Sequence, residues 1–241
     1  QYIMTTLEEL GLLKMDFLGL RTLTVIQDTI NLVKQNRGID VEFDKDMSDP
    51  KVYKLWQEGN TSGIFQFESQ GMTNFMKELK PDCLEDLIAG VSLYRPGPMD
   101  QIPRYIANKK DPEHAVYTHP ALKPILEVTY GCMVYQEQVM QIVRDLAGYS
   151  LGRADLVRRA MGKKKLDVMA KEREVFINGQ VDENGNIIVP GCVRNGIDAE
   201  SANKIFDEMS EFAKYAFNKS HAACYAVVAY RTAYLKTYYP E

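Results

Sequence analysis

Apolar side chains recurring at helical spacing, segment after segment, constrain this chain more than any other feature. Residues 133–147 (MVYQEQVMQIVRDLA) carry the amphipathic pattern over a full helix length. Residues 21–36 place Leu23, Ile26, Ile30 and Val33 on one stripe, and Gly38 stops it. Residues 153–161 and 166–178 repeat the pattern and stop at Gly162 and Gly179. Residues 198–214 open at Asp198, and residues 221–238 form a long helix with Ser220 at its cap position. Asp49-Pro50 opens a short helix over 49–57, and Pro81 separates helices over 69–79 and 82–90. Arg95-Pro96-Gly97-Pro98 is a tight non-helical turn, because two prolines and a glycine leave the backbone little else. Residues 100–131 read as a proline-interrupted connection.

Strand signals are few. Residues 10–17 alternate, with Leu12, Lys14 and Asp16 on one face and Leu13, Met15 and Phe17 on the other. Residues 62–67 (SGIFQF) suit a short strand, and Asn184-Gly185 between β-branched residues over 181–189 predicts a hairpin. The expected fold is therefore mostly α, with one strand near the front and a small β-hairpin.

Composition excludes several classes. With 241 residues, 45% of them hydrophobic and 26% charged, the chain can bury a core without covalent staples. No apolar run approaches the roughly 18 residues a spanning helix needs, and residues 1–20 lack the pattern of a secretion signal. Cys83, Cys132, Cys192 and Cys224 stand too far apart for a zinc knuckle or disulfide framework, so reduced thiols in the cytoplasm are expected. The chain starts at Gln1 and stops at Pro240-Glu241 directly after a helical run, which suggests a piece of a longer protein.

Charge is unevenly spread within a net −4. Residues 40–100 are strongly acidic, whereas residues 151–165 hold Arg153, Arg158, Arg159, Lys163, Lys164 and Lys165 against Asp155 alone. Such an island is either an anion site or a solvated helix face. Asp16, at the end of the apolar strand, is either a metal ligand or the cap of the next helix. In Tyr215-Ala216-Phe217-Asn218-Lys219-Ser220-His221, two aromatics precede polar donors at a helix start. That arrangement suits an anion with a stacked ring, or simply a capped helix with two core aromatics. Gln66-Phe67-Glu68-Ser69 and Tyr135-Gln136-Glu137-Gln138 are polar clusters inside apolar segments, either buried networks or contact surface.

Six segments, in order, resemble the motifs of one family. They are Lys14-Met15-Asp16-Phe17-Leu18-Gly19-Leu20-Arg21-Thr22, Ile64-Phe65-Gln66-Phe67-Glu68-Ser69, Arg95-Pro96-Gly97-Pro98, Tyr135-Gln136-Glu137-Gln138, Arg158-Arg159-Ala160-Met161-Gly162-Lys163-Lys164-Lys165 and Phe217-Asn218-Lys219-Ser220-His221. The family is that of the C-family bacterial replicative DNA polymerases, the DNA polymerase III alpha subunits of the DnaE type.

The resemblance implies an organisation. Residues 1–20 match the end of a palm, with its last strand carrying Asp16, and residues 21–241 match a helical fingers domain. Residues 180–192 look like a hairpin insertion. It also implies DNA-directed DNA synthesis, in which three carboxylates hold two Mg2+ ions, Asp16 being the third. The other two belong to an upstream Asp-x-Asp motif that this chain lacks, so the isolated chain is expected to be inactive. By the same resemblance, Arg158, Arg159, Tyr215, Asn218, Lys219 and His221 bind the incoming nucleotide, and Lys163, Lys164 and Lys165 touch DNA or phosphate. The implied partners are template-primer DNA, dNTPs, the sliding clamp and the clamp loader, with no membrane. The competing reading is a non-catalytic helical module that binds nucleic acid or protein.

Overall fold

The computed structural model describes residues 2–12, 19–162 and 166–240, which fall into two units, residues 1–42 and 43–241. The first unit holds α1 (Met4–Glu9) and α2 (Arg21–Arg37). Gly38 closes α2 at φ +66°, in the left-handed region where an L side chain is strained, and its N–H donates to the Lys34 carbonyl. Leu10 and Gly11 form a turn. Most of the strand expected over 10–17 lies outside the described residues, and so does Asp16.

The second unit is built from α3 (Pro50–Glu58), α4 (Gln70–Leu79), α5 (Leu84–Leu93), α6 (Ile102–Lys110), α7 (Lys123–Leu126), α8 (Gln136–Ala147), α9 (Leu151–Gly162), α10 (Leu166–Asn178), a hairpin of β1 (Gln180–Val181) and β2 (Ile187–Val189), α11 (Ala199–Phe212) and α12 (Lys219–Tyr238). The mostly helical expectation holds, and the hairpin pairs antiparallel with Gln180 opposite Val189. Asp182 shapes its turn by accepting from the amides of Asn184 and Asn186.

Two hydrophobic cores organise this unit. The first joins α3, α4, α5, α6 and α12 around Trp56, Phe67, Leu87 and Tyr230. Every residue of α5 from Asp86 to Leu93 is buried, as expected of a helix with partners on all sides. Against it packs α12, which buries Ala222, Ala226, Ala229 and Ala233; these small side chains let the two helix axes approach closely. The second core joins α7 to α11 and the hairpin around Ile142, Phe176, Ile205 and Phe206.

Local chemistry explains most boundaries. Asp49 caps α3 through the Lys51 amide, with Pro50 in the first turn; Ser69 caps α4 and Asp198 caps α11.

Three expectations are corrected. Residues 62–67 are not a strand: the Ile64 amide bonds the Thr61 carbonyl, the Phe67 amide bonds the Ile64 carbonyl, and Gln66 sits at φ +68°, so the segment coils and turns Ile64 and Phe67 into the core. Residues 100–131 are not merely a connection, because Pro103 lies in the first turn of α6, where a missing N–H costs nothing. The cap of α12 is Asn218, not Ser220: its Oδ1 accepts from the His221 amide at 2.9 Å.

Candidate functional site

Three segments distant in sequence meet at the start of α12. Tyr135 and Phe217 form a parallel β-bridge, in which the Gln136 amide donates to the Phe217 carbonyl at 2.8 Å. The Gln136 side chain donates to the Ala216 carbonyl at 3.0 Å. Glu137 then accepts from the Lys219 amide at 3.0 Å and from Asn218 Nδ2 at 2.8 Å. Beneath, buried Gln138 accepts from the Val134 and Tyr135 amides and donates to Thr129 Oγ1. One half of the Tyr135-Gln136-Glu137-Gln138 cluster is thus a buried network, and the other half holds the 216–219 segment.

The turn after α5 supplies the third segment. Arg95 donates to the Tyr215 carbonyl at 2.8 Å and to the Ser92 carbonyl at 2.9 Å, and its guanidinium lies 4.2 Å from the Phe217 ring centroid. Burial pulls its pKa down from the ordinary arginine value. His221 lies between Phe217 and Tyr225, edge-on to the first at 5.4 Å between ring centroids and tilted against the second at 4.3 Å. Lys219 Nζ pairs with Glu85 at 3.1 Å and lies over the Tyr135 ring. Beside this assembly is a cleft of about 520 Å³ walled by Phe65, Tyr94, Phe217 and Tyr225, with Gln66, Glu68, Ser69 and Arg95 as polar groups.

The basic island is placed more sparsely. Arg158 and Arg159 share the Asp155 carboxylate, each at 2.7 Å, and the hydrogen bond from Arg158 holds that carboxyl below the usual carboxylate range. The Arg158 side chain is 20% exposed and that of Arg159 is 64%, so Arg159 is the freer to meet an anion. Arg153 is engaged with Gln180 and Glu172 and lies over Tyr149. Lys163, Lys164 and Lys165 lie outside the described residues. At the end of α9, a methyl group added to Gly162 would reach the Ala213 carbonyl at 3.4 Å, so the helix carrying both arginines ends beside the approach to Tyr215.

Asp82, Cys83 and Asp86 cluster within 4.8 Å, yet they do not fit a magnesium centre. Lys109 already brings an ammonium to both carboxylates, and burial pushes the Cys83 thiol up to about 11, leaving a neutral sulfur where a hard cation needs oxygen.

Thus Tyr215, Asn218, Lys219 and His221 come together, while Arg158 and Arg159 stand on a neighbouring helix. Arg95, Glu137 and Tyr225 belong to the assembly without having been singled out as site residues. The sequence signal for Arg95 is the Arg95-Pro96-Gly97-Pro98 turn, and that for Glu137 is the Tyr135-Gln136-Glu137-Gln138 cluster.

Comparison with known proteins gives the family. The family described as the bacterial DNA polymerase III alpha subunit finger domain matches residues 22–184. The chain belongs to this family. Over its whole length it is 50% identical to the DNA polymerase III subunit alpha of Thermus aquaticus, covering 19% of that protein. It is 46% identical to that of Aquifex aeolicus and 48% identical to that of Borreliella burgdorferi, covering 20% of each. The chain spans about a fifth of the length of these curated relatives. Within the finger-domain family match lie the Arg95 turn, the Glu137 cluster and the arginine pair, whereas α12 lies beyond it.

Proposed function

We propose that this chain serves as the fingers of a replicative DNA-directed DNA polymerase, binding incoming dNTP and template-primer for the rest of the subunit. The observation that carries the reading is the meeting of Tyr215, Phe217 and His221 with Arg95 beside an aromatic cleft, next to the helix of Arg158 and Arg159. Arginine forks suit phosphate oxygens, and flat aromatic walls suit a base or sugar. Arg158 and Arg159 take the triphosphate by exchanging their Asp155 contacts. Tyr215 lies against the sugar or base with His221 alongside, and Lys219 reaches phosphate by leaving the exposed Glu85. Asn218 keeps the turn in place. Lys163, Lys164 and Lys165 contact DNA or phosphate.

Phosphoryl transfer leaves little covalent work to the protein, so positioning and charge stabilisation carry the rate. Asp16, with carboxylates outside this chain, would hold Mg2+, and that ion would supply Lewis-acid activation of the primer hydroxyl. In this reading the protein works in the cytoplasm beside a sliding clamp and a clamp loader.

The test is single-nucleotide incorporation by the intact polymerase subunit carrying this chain. Arg158→Ala raises the nucleotide KM or lowers incorporation at least tenfold, about 1.4 kcal/mol of transition-state stabilisation. Unchanged kinetics overturn the assignment of Arg158 to the triphosphate.

A further inference from the structure

The N-terminus of α12 is not an open anion site. Its first amide, that of Lys219, donates to the Glu137 carboxylate, and the His221 amide donates to Asn218 Oδ1. A carboxylate therefore already sits where free amides and the helix dipole favour negative charge. It comes from the first turn of α8, a different helix that belongs to the second core, whereas α12 belongs to the first.

Glu137 does not act alone at this joint. The Tyr135–Phe217 bridge and the Gln136 contact to Ala216 lay residues 216–219 along the start of α8. Buried Gln138 fixes that start from below through the Val134 and Tyr135 amides. The other end of the relay is α9, which packs closely on α8 and carries Arg158 and Arg159. One side of the joint holds the nucleoside-facing side chains, and the other holds the phosphate-facing arginines.

We propose that Glu137 is a positioning residue for nucleotide binding: its carboxylate fills the α12 N-terminus and locks Tyr215 to His221 in register with the arginine pair. This rests on the polymerase reading above. Glu137 itself touches no nucleotide, and triphosphate is bound by side chains rather than by the α12 amides. Losing the carboxylate leaves Asn218 to cap α12, so the helix persists while its placement on α8 loosens.

Steady-state single-nucleotide kinetics on the intact subunit separate the outcomes, with Glu137→Ala, Glu137→Gln and Arg158→Ala measured together. Glu137→Ala raises the dNTP KM about tenfold with kcat within about threefold. Glu137→Gln, which keeps an oxygen to accept from the Lys219 amide, recovers most of that loss. If Arg158→Ala raises KM and Glu137→Ala does not, the inference fails and the polymerase reading stands. If Glu137→Ala raises KM and Arg158→Ala changes nothing, the positioning role stands and the arginine assignment falls. Should Glu137→Ala not fold, Glu137→Gln decides: a KM raised about two- to threefold with kcat unchanged supports the positioning role, and a KM equal to wild type overturns it.

Discussion

Gly97 and Tyr215 are packed so closely that no side chain fits between them: a methyl group on Gly97 would lie 2.4 Å from Cδ1 of Tyr215. Gly97 also sits at φ +103°, where an L residue is strained whatever the space. The turn between Pro96 and Pro98 thus provides a flat backbone seat for the aromatic ring, while Arg95 holds its carbonyl. Gly97→Ala is expected to destabilise the chain by about 1–3 kcal/mol and to displace Tyr215. Urea unfolding reads the first effect and the Tyr215 environment by NMR the second. A variant with unchanged stability and an unmoved ring contradicts this packing.

Lys109 and Asp86 form a nearly dry ion pair, with the Asp86 side chain only 1% exposed. Burial holds the Asp86 carboxyl above the ordinary carboxylate value even with the ammonium present. Removing that ammonium leaves a buried charge, so Lys109→Met is expected to cost about 3–5 kcal/mol at neutral pH. The sign of the pH effect follows. A carboxyl whose folded pKa is raised favours folding below its unfolded value near 4, and that contribution is lost as pH rises through the folded value. The deficit of the variant therefore shrinks as pH falls from 7 toward 4, and chemical denaturation at both pH values measures it.

What the sequence made legible was local. Asp49-Pro50, Gly38, Gly179 and Asn184-Gly185 act within one turn of themselves, and each boundary stands where the local chemistry puts it. What escaped was decided at long range or by exact position. Asn218 and Ser220 are both good caps; the choice fell to Asn218, which also reaches Glu137, 81 residues away in sequence. Residues 62–67 have strand composition, yet no partner strand lies alongside among the described residues, and the Phe65 amide bonds Thr232 of α12 instead. Pro103 looked like an interruption because proline's tolerance depends on which helical turn it occupies. The site was half legible for the same reason. The Arg158 and Arg159 spacing to Asp155 is a helix-face relation, whereas Arg95 meets Tyr215 across 120 residues.

Asp16 carries the metal-binding expectation, so its test is made on the intact subunit. Asp16→Asn keeps the size of the side chain and removes its charge. Incorporation is expected to be abolished while primer-template affinity, read by fluorescence anisotropy, stays within about threefold, because phosphate contacts rather than metal ligands dominate DNA affinity. Primer extension at a normal rate by this variant would remove Asp16 from the metal site.

Asp44 is the hub that fastens the entry of α3 to α12. Its carboxylate accepts from the Ser48 amide at 2.7 Å, from the Asp46 and Asp49 amides at 3.1 Å, and from the Tyr230 hydroxyl at 3.1 Å. The amide of Ser48 leads in holding its pKa below the ordinary carboxylate value. A depressed folded pKa means that the stabilisation is fully present above the unfolded value near 4 and is lost as pH falls through the folded value. Asp44→Asn keeps one acceptor oxygen and removes the titration. The variant is therefore less stable than wild type at pH 7, and the difference narrows below pH 4 as the wild-type carboxyl takes up its proton. Thermal unfolding of both proteins between pH 3 and pH 7 measures this, and parallel stability curves across that range would show that Asp44 contributes no proton-linked stability.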